Sequence, residues 1–257
     1  MTIRAAAGAL AALAVTSTIA TGCSDAGPPV VTVAIIDTGI ARDAPLGDMV
    51  DVDASSSVVP GGVDDEDGHG TEMAAVVHAA APDARLVAVK AVGDDGTTDQ
   101  RLATAIGRAR SAGADVILLS MAGAEPLPRT RAAIERAGRG DVLVVAAAGN
   151  DGLDLDDHPA YPAAYDEPNL IAVAAIDRDG QLLGTSNRGP TVTARGQGSG
   201  VSTCTLDGRP ATTGATSAAA ALVAGTAARR LRTDGPLEDI RLQLESKPAF
   251  ATAEPCS

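Results

Sequence analysis

Five short apolar runs, at residues 30–36, 86–92, 116–120, 142–147 and 170–175, constrain the fold of this 257-residue chain more than any other feature. Each is rich in β-branched residues and nearly unbroken, whereas a strand with one wet face would alternate apolar and polar residues. Helical patterns separate them at residues 71–80, 100–112 and 130–137, and two more follow at 217–231 and 237–244. Strands buried on both faces and spaced by helices specify an α/β fold, a doubly wound three-layer sandwich with a mostly parallel central sheet. In such sheets reacting groups gather at the carboxyl ends of the strands. No internal repeat or long linker interrupts the pattern, so residues 24–257 read as one domain.

Hydrophobic residues make up 45% of the chain but aromatics only 1%, so Ala, Val, Leu and Ile must fill the core and let elements approach closely. A net charge of −13 argues against nucleic acid as a partner, which needs clustered Lys and Arg. The acidic run at residues 64–67 reads as solvated surface. At the N-terminus, Arg4 precedes an apolar stretch over residues 5–20, shorter than the roughly 20 residues of a membrane span but suited to a signal peptide over residues 1–22. The stretch ends in Ala20-Thr21-Gly22-Cys23, which resembles a bacterial lipoprotein processing site with Cys23 as the lipidated residue. That implies an extracytoplasmic protein, held to the membrane by its lipid or, in the alternative, secreted. Cys204 and Cys256 are then left either to pair as a disulfide in an oxidising compartment or to remain two thiols. No Cys/His spacing suggests a metal site.

Four segments carry candidate chemistry, and each alone has a bland explanation. Asp37 closes the first apolar run and enters Thr38-Gly39; a shielded carboxylate there can orient an imidazole, but Asp-Thr-Gly also marks aspartic proteases. His69 lies in Asp67-Gly68-His69-Gly70-Thr71 at the start of a helical pattern, and it alone of three histidines has that setting; His78 and His158 look incidental. Asn150 follows Ala148-Gly149 at the end of the fourth run, where its amide can donate to an oxyanion, although Gly-Asn-Asp-Gly is also good turn chemistry. Ser217 opens the last long helix, where free N–H groups and the helix dipole favour a nucleophile or simply an N-cap.

In the order Asp, His, Asn, Ser these segments resemble the subtilisin-like family of serine proteases, or subtilases. The likeness extends to residues 81–90, to Asp115-Val116-Ile117-Leu118-Leu119-Ser120-Met121-Ala122-Gly123, to Tyr161-Pro162-Ala163-Ala164-Tyr165 and to Ser186-Asn187-Arg188-Gly189-Pro190, and it runs from about Val31 to Gly225. The resemblance implies a subtilisin-like fold, a catalytic triad of Asp37, His69 and Ser217, an oxyanion hole using Asn150, and substrate contacts by Ser120, Met121, Ala122, Gly123, Ala148 and Gly149. It implies an exported serine endopeptidase, acting as a monomer on protein or peptide substrates without a cofactor. Many subtilases bind calcium, but no ligand cluster here is specific enough to name.

Five residues depart from the family pattern. Ala215 stands where Gly is usual, Ala221 and Leu222 replace Pro and His, Glu72 replaces a second His, and Ala122 replaces a Gly. Only residues 24–29 separate Cys23 from the first run, which leaves no room for a propeptide domain. Asp151, Asp154, Asp156 and Asp157 fall where the resemblance places the primary specificity pocket, suggesting a mild preference for basic residues. The main rival is a catalytically silent subtilase domain that binds proteins. An aspartic protease on Asp37 is more distant, since that class is β-rich and needs a second Asp motif.

Overall fold

The structure is a computed structural model that describes residues 30–41, 46, 49–233 and 237–256; the signal segment and Cys23 lie outside them. All five apolar runs form strands of one sheet: β1 (Thr32–Asp37), β3 (Arg85–Lys90), β4 (Val116–Leu119), β5 (Leu143–Ala147) and β6 (Leu170–Ile176). Short β2 (Ser56–Ser57) and β7 (Val192–Gln197) close the edges, giving the order β2-β3-β1-β4-β5-β6-β7 with every pairing parallel.

The runs are unbroken because each strand is covered on both faces. Val33, Ile35, Leu118 and Val145 pack with α1 (His69–Ala80) and α4 (Ala215–Leu231), while Ala34, Ile36, Leu119 and Val144 pack with α2 (Asp99–Ser111) and α3 (Pro128–Gly138). From β1 the chain goes first to β3 on one side and then to β4 on the other. The sheet therefore reverses its winding between β1 and β4, and an open α/β sheet leaves its crevice at the carboxyl ends of such strands. The register pairs Ile36 with Leu119, so Asp37 and Ser120 sit level at this point, roughly 5 Å apart as neighbours across a parallel pair.

Helix α4 is buried over most of its length, from Thr216 to Ala228 except for Ser217. Its small side chains allow this: a Cβ added at Gly225 would lie 2.6 Å from the Ala80 Cβ and 2.9 Å from the Val77 carbonyl of α1. The near absence of aromatics thus corresponds to a helix sandwiched between the sheet, α1 and α5 (Leu237–Ser246).

Boundaries differ from the sequence expectation where caps decide them. Helix α1 begins at His69 rather than Thr71, after the left-handed Gly68. Helix α4 begins at Ala215 with Gly214 as its N-cap, so Ser217 lies inside the first turn and does not cap it. Strand β7 escaped notice because its half-exposed sequence contains Arg195 and Gly196. The antiparallel hairpin β8 (Val201–Cys204) and β9 (Pro210–Thr213) is Thr- and Ser-rich. Cys204, at the end of β8, is disulfide-bonded to Cys256 with Cα atoms 6.0 Å apart, tying the chain's last residues to the hairpin.

Replacing Gly225 by Val should push α1 and α4 apart and lower the unfolding free energy by about 2 kcal/mol. A lower denaturant midpoint at unchanged slope would show it.

Candidate active site

Asp37 is the last residue of β1 and only 2% exposed, which puts an ionisable carboxylate at the sheet's carboxyl edge. Its Oδ1 accepts the Thr38 backbone N–H at 2.8 Å and meets His69 Nδ1 at 2.7 Å. A carboxylate can only accept, so Nδ1 carries the proton and the neutral ring presents Nε2 as a base. Asp37 Oδ2 is buried without a partner.

The contact needs β1 and the start of α1 to touch. A Cβ at Gly70 would fall 2.1 Å from the Gly39 carbonyl, so only glycine permits that approach. Asp65 organises the intervening loop, contrary to the expectation that residues 64–67 are solvated surface. It is 7% exposed; its Oδ1 accepts the N–H groups of Asp67 and Gly68, and its Oδ2 accepts the Thr71 N–H and hydroxyl. The Thr38 hydroxyl adds a bond to Asp65 and itself accepts the Gly70 N–H. Burial opposes ionisation of Asp65, but these bonds prevail and hold its carboxyl below the usual 3.8. No local pattern separates Asp65 from Asp64 or Asp67; only the packing of the loop on α1 selects it.

The His69 imidazole titrates above its ordinary 6.5. Burial opposes the charge, but the hydrogen bond and negative charge of Asp37 outweigh it, with help from the charges of Glu72 and Asp67. The family departure at Glu72 therefore supplies a carboxylate that favours the imidazolium. A raised pKa means that the ion pair stabilises the fold fully below 6.5 and ceases to do so as pH rises through the folded value.

Ser217 is half-buried, and its Oγ donates to the Ser120 carbonyl at 3.0 Å. That carbonyl follows β4, one strand from Asp37, so the Ser217 hydroxyl is held at the carboxyl edge of the sheet beside the β1–β4 switch point. No hydrogen bond joins Ser217 to His69 in this conformer. The Ser217 backbone N–H finds no acceptor among the described residues. Asn150 is locked by Thr216, whose N–H and hydroxyl donate to Asn150 Oδ1 at 3.0 and 2.8 Å. With its oxygen engaged, Asn150 keeps its amide N–H groups for the adjacent cavity, of about 540 Å³. Ser120, Met121, Ala122, Gly123, Gly149 and Ser217 also line it, whereas Ala148 is fully buried beneath. Gly123 and Tyr161 exchange two backbone hydrogen bonds (2.9 and 2.7 Å) that fix one wall. Asn187 fixes another, accepting from Asp151 and Leu153 and donating to the Ala148 carbonyl. His158, expected to be incidental, belongs to the cavity wall.

Residues 30–236 match the sequence model of the Subtilase family. The chain belongs to the subtilase family. It is 33% identical over 210 residues to subtilisin BL of Lederbergia lenta, covering 77% of this chain and 75% of that protein. It is 29% identical over 183 residues to the major intracellular serine protease of Bacillus subtilis (strain 168), covering 64% of this chain and 57% of that one, and so spans little more than half of that relative's length. The structure of a cold adapted subtilisin-like serine proteinase has a TM-score of 0.76 at 23% identity, covering 87% of this chain and 89% of that one, a likeness of fold.

Of the departures from the subtilase pattern, Ala221 and Leu222 are buried within α4. Ala215 adopts φ 61, a left-handed conformation where a side chain is strained. Ala215→Gly should therefore raise stability by about 0.5–1 kcal/mol, the left-handed penalty less the added freedom of the unfolded glycine, measurable by denaturant unfolding. Asp37→Asn should lower the His69 pKa, because the Asp37 charge no longer offsets burial and only the charges of Glu72 and Asp67 still oppose it; NMR titration of the imidazole reads the change.

Proposed function

We propose that the chain is an exported serine endopeptidase that hydrolyses protein or peptide bonds through an acyl-enzyme, with Asp37, His69 and Ser217 as its triad. The observation that carries this reading is the 2.7 Å bond from His69 Nδ1 to the buried Asp37, at the switch point where Ser217 Oγ also lies. In this reading the Ser217 hydroxyl leaves the Ser120 carbonyl that holds it at 3.0 Å and turns to His69 Nε2. The vacated carbonyl is then free to accept a substrate backbone N–H.

As Ser217 Oγ attacks the scissile carbonyl, His69 takes its proton and Asp37 stabilises the imidazolium. The oxyanion receives the Asn150 amide N–H and the free Ser217 N–H, fixed donors that need no reorganisation. His69 next protonates the leaving amine; it then removes a proton from water, which releases the acyl group. None of these steps calls on a metal or cofactor. Names of relatives such as subtilisin BL support the activity, and the Cys204–Cys256 bond supports an oxidising, extracytoplasmic setting. Membrane attachment through a lipid on Cys23 belongs to the same reading.

One observation favours a silent binding domain instead: Ser217 bonds to Ser120 rather than His69. A fluorophosphonate probe separates the two, since it reacts only with an activated serine. Labelling and hydrolysis should both disappear in Ser217→Ala, and Asn150→Ala should lower kcat about 10²- to 10³-fold. Failure of the native chain to label would support the silent reading.

A further inference from the structure

The β8–β9 hairpin stands apart from the main sheet and borders both helices that carry the site. Its two strands pair only with each other, and a hairpin alone is marginally stable in water. Val201 and Cys204 bury their side chains in the core that α1 and α4 share with one face of the sheet. Thr203 is 1% exposed, and its hydroxyl donates at 2.8 Å to the carbonyl of Glu72, three residues after His69. A Cβ at Gly68, the N-cap of α1, would meet the Leu206 side chain of the hairpin turn at 3.6 Å. The hairpin therefore lies against the turn that bears His69. Its second strand then leads through Gly214 into the first turn of α4, which bears Ser217.

β9 gives the hairpin little support of its own, since Pro210 and Thr212 are exposed and Ala211 and Thr213 only half-buried. The C-terminal segment supplies an anchor. Its Ala249 lies beside β7, where the carbonyl accepts the Gln197 N–H at 2.8 Å and the N–H donates to the Arg195 carbonyl at 2.9 Å. The Ala251 N–H reaches Gln197 Oε1 at 3.3 Å. Residues 252–254 are exposed, and Cys256 then bonds to Cys204 at the end of β8. The disulfide thus ties the hairpin to a segment seated on the sheet. Asp65 holds the His69 turn independently, from the preceding loop. Breaking the disulfide therefore loosens one side of this turn and leaves the seven-stranded sheet untouched.

We infer that the Cys204–Cys256 disulfide latches the hairpin against the first turn of α1 and so positions His69, which makes turnover depend on oxidation of this cysteine pair. This rests on the protease reading and adds a means of regulation to it. Cys204 and Cys256 are positioning residues, acting on the imidazole through the hairpin. Closing the latch joins two thiols into one disulfide and passes two protons and two electrons to a disulfide oxidant, which leaves as a dithiol or two thiols; a dithiol reductant reverses the exchange. The chain is then sluggish in a reducing compartment and reaches full activity in an oxidising one. A bond that merely stapled the C-terminus would raise stability without altering the His69 imidazole.

The test compares the full chain oxidised, reduced with dithiothreitol, and reoxidised with oxidised glutathione, with circular dichroism reporting the fold. Reduction should lower kcat and the rate of fluorophosphonate labelling about tenfold, within the range that a displaced catalytic group costs, and leave KM little changed. It should also lower the His69 pKa, read by NMR, because a looser turn weakens the bond to Asp37. Reoxidation should restore all three. The double variant Cys204→Ser, Cys256→Ser should show the reduced chain's values with or without dithiothreitol, which assigns the effect to this bond and not to Cys23. Thr203→Val should lower kcat in the oxidised chain and add little to the effect of reduction, as two breaks in one path do. Equal kcat and His69 pKa in the oxidised and reduced chains, or loss of the fold on reduction, overturns the inference in favour of a structural staple, while the protease reading stands. An oxidised chain that neither labels nor hydrolyses peptides strikes the protease reading, and the His69 titration still decides whether the disulfide positions the ring.

Discussion

Much of this molecule is arranged around keeping one carboxylate dry. Asp37 ends a strand with helices on both faces, and water reaches only 2% of it. In that setting the bond to His69 is electrostatically stronger than it would be in water, which is how it overcomes the burial of the imidazole itself. The sheet order is part of the same device: because winding reverses between β1 and β4, the carboxylate end of one strand faces the carbonyl that holds Ser217.

The close approaches around this pair depend on missing side chains. Gly70 lets α1 rest on the turn after β1, and Gly225 lets the buried α4 cross α1. A chain with 1% aromatics suits such packing, since Ala-rich helices bring backbones together at the cost of less apolar area per residue. The Thr203 hydroxyl, which donates to the Glu72 carbonyl at 2.8 Å, holds the β8–β9 hairpin against α1 just beyond His69, and the Cys204–Cys256 bond ties the same hairpin to the C-terminal segment. Local strain gathers two residues before Ser217, where Ala215 occupies a left-handed conformation.

The residues around Asn150 show how far the orientation of one amide is set by its neighbours. Asn150 has an amide that points either way until Thr216 donates twice to its oxygen and leaves the N–H groups to the cavity. Asn187 does similar work for the loop that bears Asp151 and Leu153. These are polar groups on separate segments whose role is orientation, and no one-residue pattern announces them.

What the sequence by itself determined was local and periodic. Unbroken apolar runs became strands and helical spacing became helices, while Asp37, His69, Asn150 and Ser217 each had a bland local explanation and were singled out by their order along the chain and its resemblance to subtilases. What tertiary structure alone decided was burial and partnership. Asp65 and Asp67 look alike in an acidic run, yet only Asp65 is enclosed by the Gly68 and Thr71 N–H groups once the loop folds onto α1. The edge strand β7 and the β8–β9 hairpin were missed because strands with a wet face or polar composition lack the apolar signal. The choice of Ser120 as the partner of the Ser217 hydroxyl depends on strand order, which brings together residues 97 positions apart. Periodicity is written in neighbouring residues, but desolvation and hydrogen-bond geometry are set by segments that meet only in the folded chain.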